Sequence, residues 1–223
     1  MSPILESPPR LRSHANGRLP PAPPPTGGGD DADGDSPPRR GALDNAVLGT
    51  LFFIGAEVMF FAGLVSAFWV LRLGAAVWPP PLQPRLPVGM TGVNTLVLLG
   101  SSIAVAAAVR ALGRGDRGAA VRRFAAAAGL GALFLLVQGY EWIRLVHFGL
   151  TMASGVYGAT FYTLIGAHAL HVLAALGWLG VTVALLARGR LAGRRPAPLR
   201  ACALYWHFVV ALWPILYVSV YLL

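Results

Sequence analysis

The stretch from Asn45 to Leu73, NAVLGTLFFIGAEVMFFAGLVSAFWVLRL, decides what solvent this chain is built for. It carries one acid, Glu57, near its middle and one base, Arg72, at its end. A bilayer core roughly 30 Å thick needs about 20 residues of apolar helix, and this stretch supplies them. Backbone groups in hydrocarbon must be satisfied within the segment, so a continuous run of this kind predicts a helix.

Four more runs follow: Thr91 to Leu112, Val121 to Val146, Val156 to Ala187 and Ala203 to Leu223. The fold class expected is therefore all-α, a polytopic membrane protein with a five-transmembrane-helix bundle over residues 45–223. The fourth run is long enough to require tilt or extension beyond the lipid. Composition agrees: 56% of the 223 residues are hydrophobic and 12% charged, against roughly 25% charged in an ordinary soluble domain. Residues 1–44 are instead rich in Pro, Gly, Asp and Arg. Such a segment buries too little apolar surface to offset its ordering entropy, so a disordered cytoplasmic tail is expected there.

The formal net charge of +9 would suggest nucleic acid in a soluble protein. The positions of the charges argue for membrane orientation instead, and no nucleic-acid partner is expected. All 18 bases are Arg. Arg39 and Arg40 precede the first run; Arg110, Arg114, Arg117, Arg122 and Arg123 join the second and third; Arg188, Arg190, Arg194, Arg195 and Arg200 join the fourth and fifth. The other connections hold Arg72, Arg85 and Arg144. Positive-inside reasoning then places the N-terminus in the cytoplasm and the C-terminus outside. No signal peptide is evident before Asn45, so the first run is expected to direct insertion itself. Cys202 is the sole cysteine, which rules out an internal disulfide and any Cys-x-x-Cys chemistry.

Ionisable groups at membrane depth are expensive and call for a partner or a purpose. Glu57 fits two readings, a hydrogen-bonded contact between helices or a proton-exchanging carboxyl. His168 and His171 stand three apart on one helical face and could meet Glu57 across an interface. Metal or haem ligation by them needs further donors in the right geometry, and no Glu-x-x-His pattern occurs in these runs. Gln138 and Glu141 share a face, with Arg144 one turn on, so a Glu141–Arg144 pair is expected. His207 is expected at the water-facing start of the fifth helix. Gly55, Gly63, Gly100, Gly129, Gly131, Gly166 and Gly177 favour close helix packing.

Taken in order, these segments resemble a known family, subunit III of the haem-copper terminal oxidases, which include cytochrome c and quinol oxidases. The resemblance covers Asn45 to Leu223. It rests on Glu57-Val58-Met59-Phe60-Phe61-Ala62-Gly63; on Trp78-Pro79-Pro80 followed by Asn94-Thr95 and Leu98-Leu99; on Gly115-Asp116-Arg117; and on Gln138-Gly139-Tyr140-Glu141. Gly155-Val156-Tyr157-Gly158-Ala159-Thr160-Phe161, Gly166-Ala167-His168-Ala169-Leu170-His171-Val172 and Tyr205-Trp206-His207-Phe208-Val209 with Trp213 complete it. Val210 stands where the family usually has Asp, Ala169 replaces a Gly, and Ile165 stands where Thr is common.

The resemblance implies a subunit without redox centres of its own, held against catalytic subunit I and in one complex with subunit II and other small subunits. Haems and copper are then expected in subunit I and subunit II, with phospholipid as an accessory ligand. It further implies support of proton uptake and protection of subunit I during turnover. Glu57, His168 and His171 become the proton-related group, and Gln138, Glu141, His207 and Asn94 structural polar residues. The family's larger members have seven helices, and this chain resembles the five-helix bacterial forms that lack the first two. The location implied is the bacterial inner membrane. Two alternatives carry the same residues into other chemistry: a related accessory subunit of a nitric oxide reductase, and a b-type cytochrome with His168 and His207 as axial ligands.

Overall fold

The computed structural model describes residues 45–81, 84, 86–191 and 196–223. The tail expected over residues 1–44, and with it Arg39 and Arg40, lies outside the described residues, as do Arg85, Arg194 and Arg195.

Five helices form: α1 (Asn45–Leu73), α2 (Val88–Gly113), α3 (Arg117–His147), α4 (Gly155–Ala187) and α5 (Ala197–Tyr217), the last continuing as a π-helix over Val218–Leu222. All five are long and apolar enough to cross a membrane. Hydropathy located them from their apolar middles, so several begin earlier than the apolar run does. Residue 117 rather than 121 opens α3, because Asp116 caps it: its Oδ1 accepts the Ala119 N–H at 2.8 Å. Residue 197 rather than 203 opens α5, directly after Pro196 and with Pro198 in the first turn, where a missing N–H costs nothing. Likewise α2 starts at Val88, after Pro87, rather than at Thr91.

Helix ends at the arginine-rich face are equally local. Gly115 (φ +86°) and Gly189 (φ +79°) take the left-handed conformation just past α2 and α4. Gly115 N–H then reaches Leu112 O at 2.9 Å and Asp116 N–H reaches Ala111 O at 3.0 Å, which satisfies carbonyls left open by the helix end. Arg117 adds a tertiary cap, its guanidinium donating through Nε (2.9 Å) and Nη2 to the Leu186 carbonyl near the end of α4.

Consecutive helices run antiparallel. Helices α2, α3, α4 and α5 each pack against the next and close through α2 against α5, while α1 lies against α4 and α5. The register of α2 on α5 is fixed by indole N–H groups: Trp213 Nε1 donates to Thr95 Oγ1 at 2.8 Å and Trp206 Nε1 to Ser101 Oγ at 3.1 Å. Trp206 itself fits because residue 131 is Gly. A Cβ there would come within 2.5 Å of the indole. Helix α5 is the most enclosed span and α1 the least. Much of α1, including Phe52, Met59 and Val70, presents large apolar side chains outward.

Candidate functional site

Among the described residues, two polar groups that hold a carboxyl lie within the spans, separated by aromatic packing. The first joins α1 to α4. Glu57 Oε2 stands 2.9 Å from His171 Nε2, with the two side chains 14% and 19% exposed. The other ring nitrogen, Nδ1, lies 2.6 Å from the Ala167 carbonyl one turn back. A carbonyl only accepts, so Nδ1 carries a proton and donates it. The Nε2–Oε2 approach is at ion-pair distance without hydrogen-bond geometry, and Oε2 has no hydrogen-bond partner among the described residues. Phe60 and Phe61 pack on the His171 ring, their centroids 6.1 and 5.1 Å away.

His168 does not join this pair. It is fully buried, stacked on Trp213 at 5.0 Å and 27°, with the rings of Phe61 and Phe134 edge-on at 6.5 Å each. Neither ring nitrogen has a hydrogen-bond partner among the described residues. The joint cluster of Glu57 with both histidines is thus corrected to a pair with His171 alone. A three-residue step turns the ring about 60° around the helix, which carries His168 from the α1 side into the aromatic core.

The second group joins α2, α3 and the end of α5. Glu141, 2% exposed, accepts from Thr91 Oγ1 at 2.8 Å and from Gln138 Nε2 at 3.3 Å. Gln138 Nε2 also donates to Tyr221 Oη at 3.1 Å, and Asn94 Nδ2 donates to the Phe134 carbonyl at 3.0 Å. The expected Glu141–Arg144 pair does not form. Glu141 turns inward to α2, whereas the Arg144 guanidinium lies over the rings of Tyr140 and Phe148 at 5.9 Å each.

His207 also departs from expectation. Because α5 begins at Ala197, His207 sits about 15 Å along the helix rather than at its boundary. Its Nδ1 meets Ser102 Oγ at 2.6 Å, adding a third polar tie between α2 and α5.

Of the residues that complete these groups, Thr91, Ser101, Ser102 and Tyr221 were not singled out from sequence, and Thr95 and Trp213 entered only through the family resemblance. A signal existed for α2, where Thr91, Asn94, Thr95, Leu98, Ser101 and Ser102 recur at helical spacing and so lie on one face. No pattern flagged Tyr221, which reaches Gln138 only because the π-helical turn buries Ser219, Val220 and Tyr221 in succession.

A family model, cytochrome c oxidase subunit III, matches residues 41–223. The chain belongs to the cytochrome c oxidase subunit III family. Among its relatives, cytochrome c oxidase subunit 3 of Corynebacterium diphtheriae is 38% identical over 200 residues, covering 85% of this chain and 95% of the relative. The Synechocystis subunit 3 is 33% identical over 194 residues, covering 85% and 81%. That of Sus scrofa is 33% identical over 179 residues, covering 78% and 67%. Both polar groups fall within the region matched to the subunit III family. Val210, at the position where the resemblance expects Asp, is 2% exposed and belongs to the apolar core.

Proposed function

We propose that this chain works as the non-redox subunit III of a proton-pumping haem-copper terminal oxidase in a bacterial inner membrane. In that role it seats against catalytic subunit I, in a complex with subunit II and smaller subunits. The haems and copper of oxygen reduction belong to those partners, and this chain contributes shape, a proton-exchanging pair and lipid contacts. Its N-terminus faces the cytoplasm, because the arginine-rich α2–α3 and α4–α5 connections lie at one end.

Family membership carries this reading, and the chemistry of the side chains supports it. The buried polar groups are spent on ties between helices, as in a scaffold. Among the described residues, Glu57 with His171 is the carboxyl–imidazole pair within the spans, and it sits partly exposed on the α1–α4 flank. A partly exposed polar pair in hydrocarbon is costly, which favours a partner or ordered lipid covering it in the assembly.

A b-type cytochrome fits less well. Trp213 stacks on the face of His168, and His207 lies about 9 Å further along α5 from Trp213, held by Ser102, so the two rings do not confront one another across a haem-sized gap. The nitric oxide reductase accessory differs only in its companion.

The test is turnover lifetime. Membranes carrying the oxidase with this chain are expected to sustain oxygen consumption longer than membranes depleted of it, with Glu57→Gln intermediate. Equal lifetimes in all three would remove the supporting role.

A further inference from the structure

We propose that the arginine-poor end of the bundle holds a site for ordered water, which bridges the buried Glu141 carboxyl to the Arg144 guanidinium. The site is made by this chain's own residues and is independent of the choice of oxidase partner. A cavity of about 70 Å³ lies where α2 begins and α3 ends, bordered by Pro84, Pro87, Glu141, Arg144, Leu145 and Phe148. Glu141 is 2% exposed, and its Oε1 has no hydrogen-bond partner among the described residues. A buried carboxyl oxygen in that state costs free energy, so it calls for a partner that the chain does not supply.

The side chains around Glu141 are committed to its other oxygen. Thr91 Oγ1 lies 2.8 Å from Oε2, and Gln138 Nε2 lies 3.3 Å from Oε2 while also reaching Tyr221 Oη at 3.1 Å. Arg144 borders the same cavity, yet its guanidinium lies over the rings of Tyr140 and Phe148 and forms no direct pair with Glu141. Ring contacts of that kind use the flat face of the cation and leave its in-plane N–H groups to donate elsewhere. The pair that sequence spacing suggests is thereby made through water.

The lining selects the ligand by charge. A cation would meet one side-chain oxygen, where calcium takes about 6–8 ligands, and would face Arg144 as well. An anion would face Glu141. A small neutral molecule that both donates and accepts suits the two together. Water does so in either protonation state, donating to the Oε1 of a carboxylate or accepting the O–H of a neutral carboxyl. One water takes roughly 30 Å³ in the liquid, so about two fit. Glu141 lies less than two turns before the end of α3 at His147, about 9 Å by helical rise, and the exposed Arg144 lies between it and the surface. Bulk water is therefore close enough to fill the site.

The assembled complex, purified from native membranes, would be imaged at a resolution that shows ordered water. A peak within hydrogen-bond distance of Glu141 Oε1, connected directly or through a second peak to Arg144, is expected. No peak in the cavity, a direct Arg144–Glu141 contact, or a peak at the roughly 2.3–2.6 Å oxygen distances of a bound calcium ion would each overturn the site. Hydroxyl-radical footprinting of the same complex gives an independent reading, because radicals formed from bound water attack the side chains beside it. Leu145, 4% exposed, is expected to be oxidised several-fold more than Leu112, which is 5% exposed at the opposite end of the bundle. Glu141→Leu, which removes the anchoring oxygen, is expected to lose that excess, and Glu141→Gln, which keeps an oxygen there, to retain it. Equal oxidation of the two leucines in the unmodified complex, or an excess that survives in Glu141→Leu, would refute the proposal.

Discussion

At the residue scale, the two carboxyls in the membrane do different work. Glu141 is enclosed, and it accepts from both Thr91 and Gln138. Glu141→Ala is expected to destabilise the bundle by about 1–3 kcal/mol, because it removes the α3 tie to Thr91 of α2 and leaves one Gln138 N–H without its acceptor. Thermal unfolding of the detergent-solubilised chain would register this, and an unchanged transition would contradict the network. Glu57 has a single partner whose other nitrogen is already committed to a backbone carbonyl. His171→Ala is therefore expected to cost less stability than Glu141→Ala but to change the surroundings of the Glu57 carboxyl, read as a shifted carboxyl band in infrared spectra. Gly131→Ala is the packing counterpart. It drives a methyl into the Trp206 indole and is expected to cost about 1–3 kcal/mol by overpacking.

At the element scale, sequence legibility followed the physics of each feature. The spans were readable because hydrocarbon demands long apolar helices, and α1 runs Asn45–Leu73 in both the reading and the structure. Helix starts were less readable, since caps such as Asp116 and Pro196 lie outside the apolar run that hydropathy detects. That displacement moved His207 from boundary to mid-helix. Pairing across helices was least readable. Spacing correctly put Gln138 beside Glu141, but which way Glu141 turns depends on Thr91 arriving from α2, some 50 positions away in the chain. The same holds for His168, whose aromatic surroundings come from three other helices. Asp116→Ala removes a cap and is expected to cost about 1 kcal/mol in thermal stability, with Asp116→Asn retaining most of it.

At the scale of the whole molecule, two features organise the account: an arginine-rich end opposed to an arginine-poor one, and a tightly tied α2–α5 ring opposed to a loosely covered α1. The first predicts sidedness. On intact cells an impermeant maleimide is expected to label Ala76→Cys at the exposed arginine-poor end, and Arg190→Cys only after the membrane is opened. The reverse pattern would invert the topology. The second points to a companion: α1 carries exposed large apolar side chains and, with α4, the partly exposed Glu57–His171 pair, which suits a helix surface meant to be covered. The central claim, a subunit without its own redox centre seated on a catalytic partner, is tested most directly by capturing the tagged chain from native membranes in mild detergent. The captured material is then identified and its optical spectrum recorded. The account predicts a haem-copper oxidase catalytic subunit in the eluate, a haem spectrum that departs with that subunit, and a colourless chain left behind. A Soret band that stays with the isolated chain, or capture without any haem-copper partner, would contradict it.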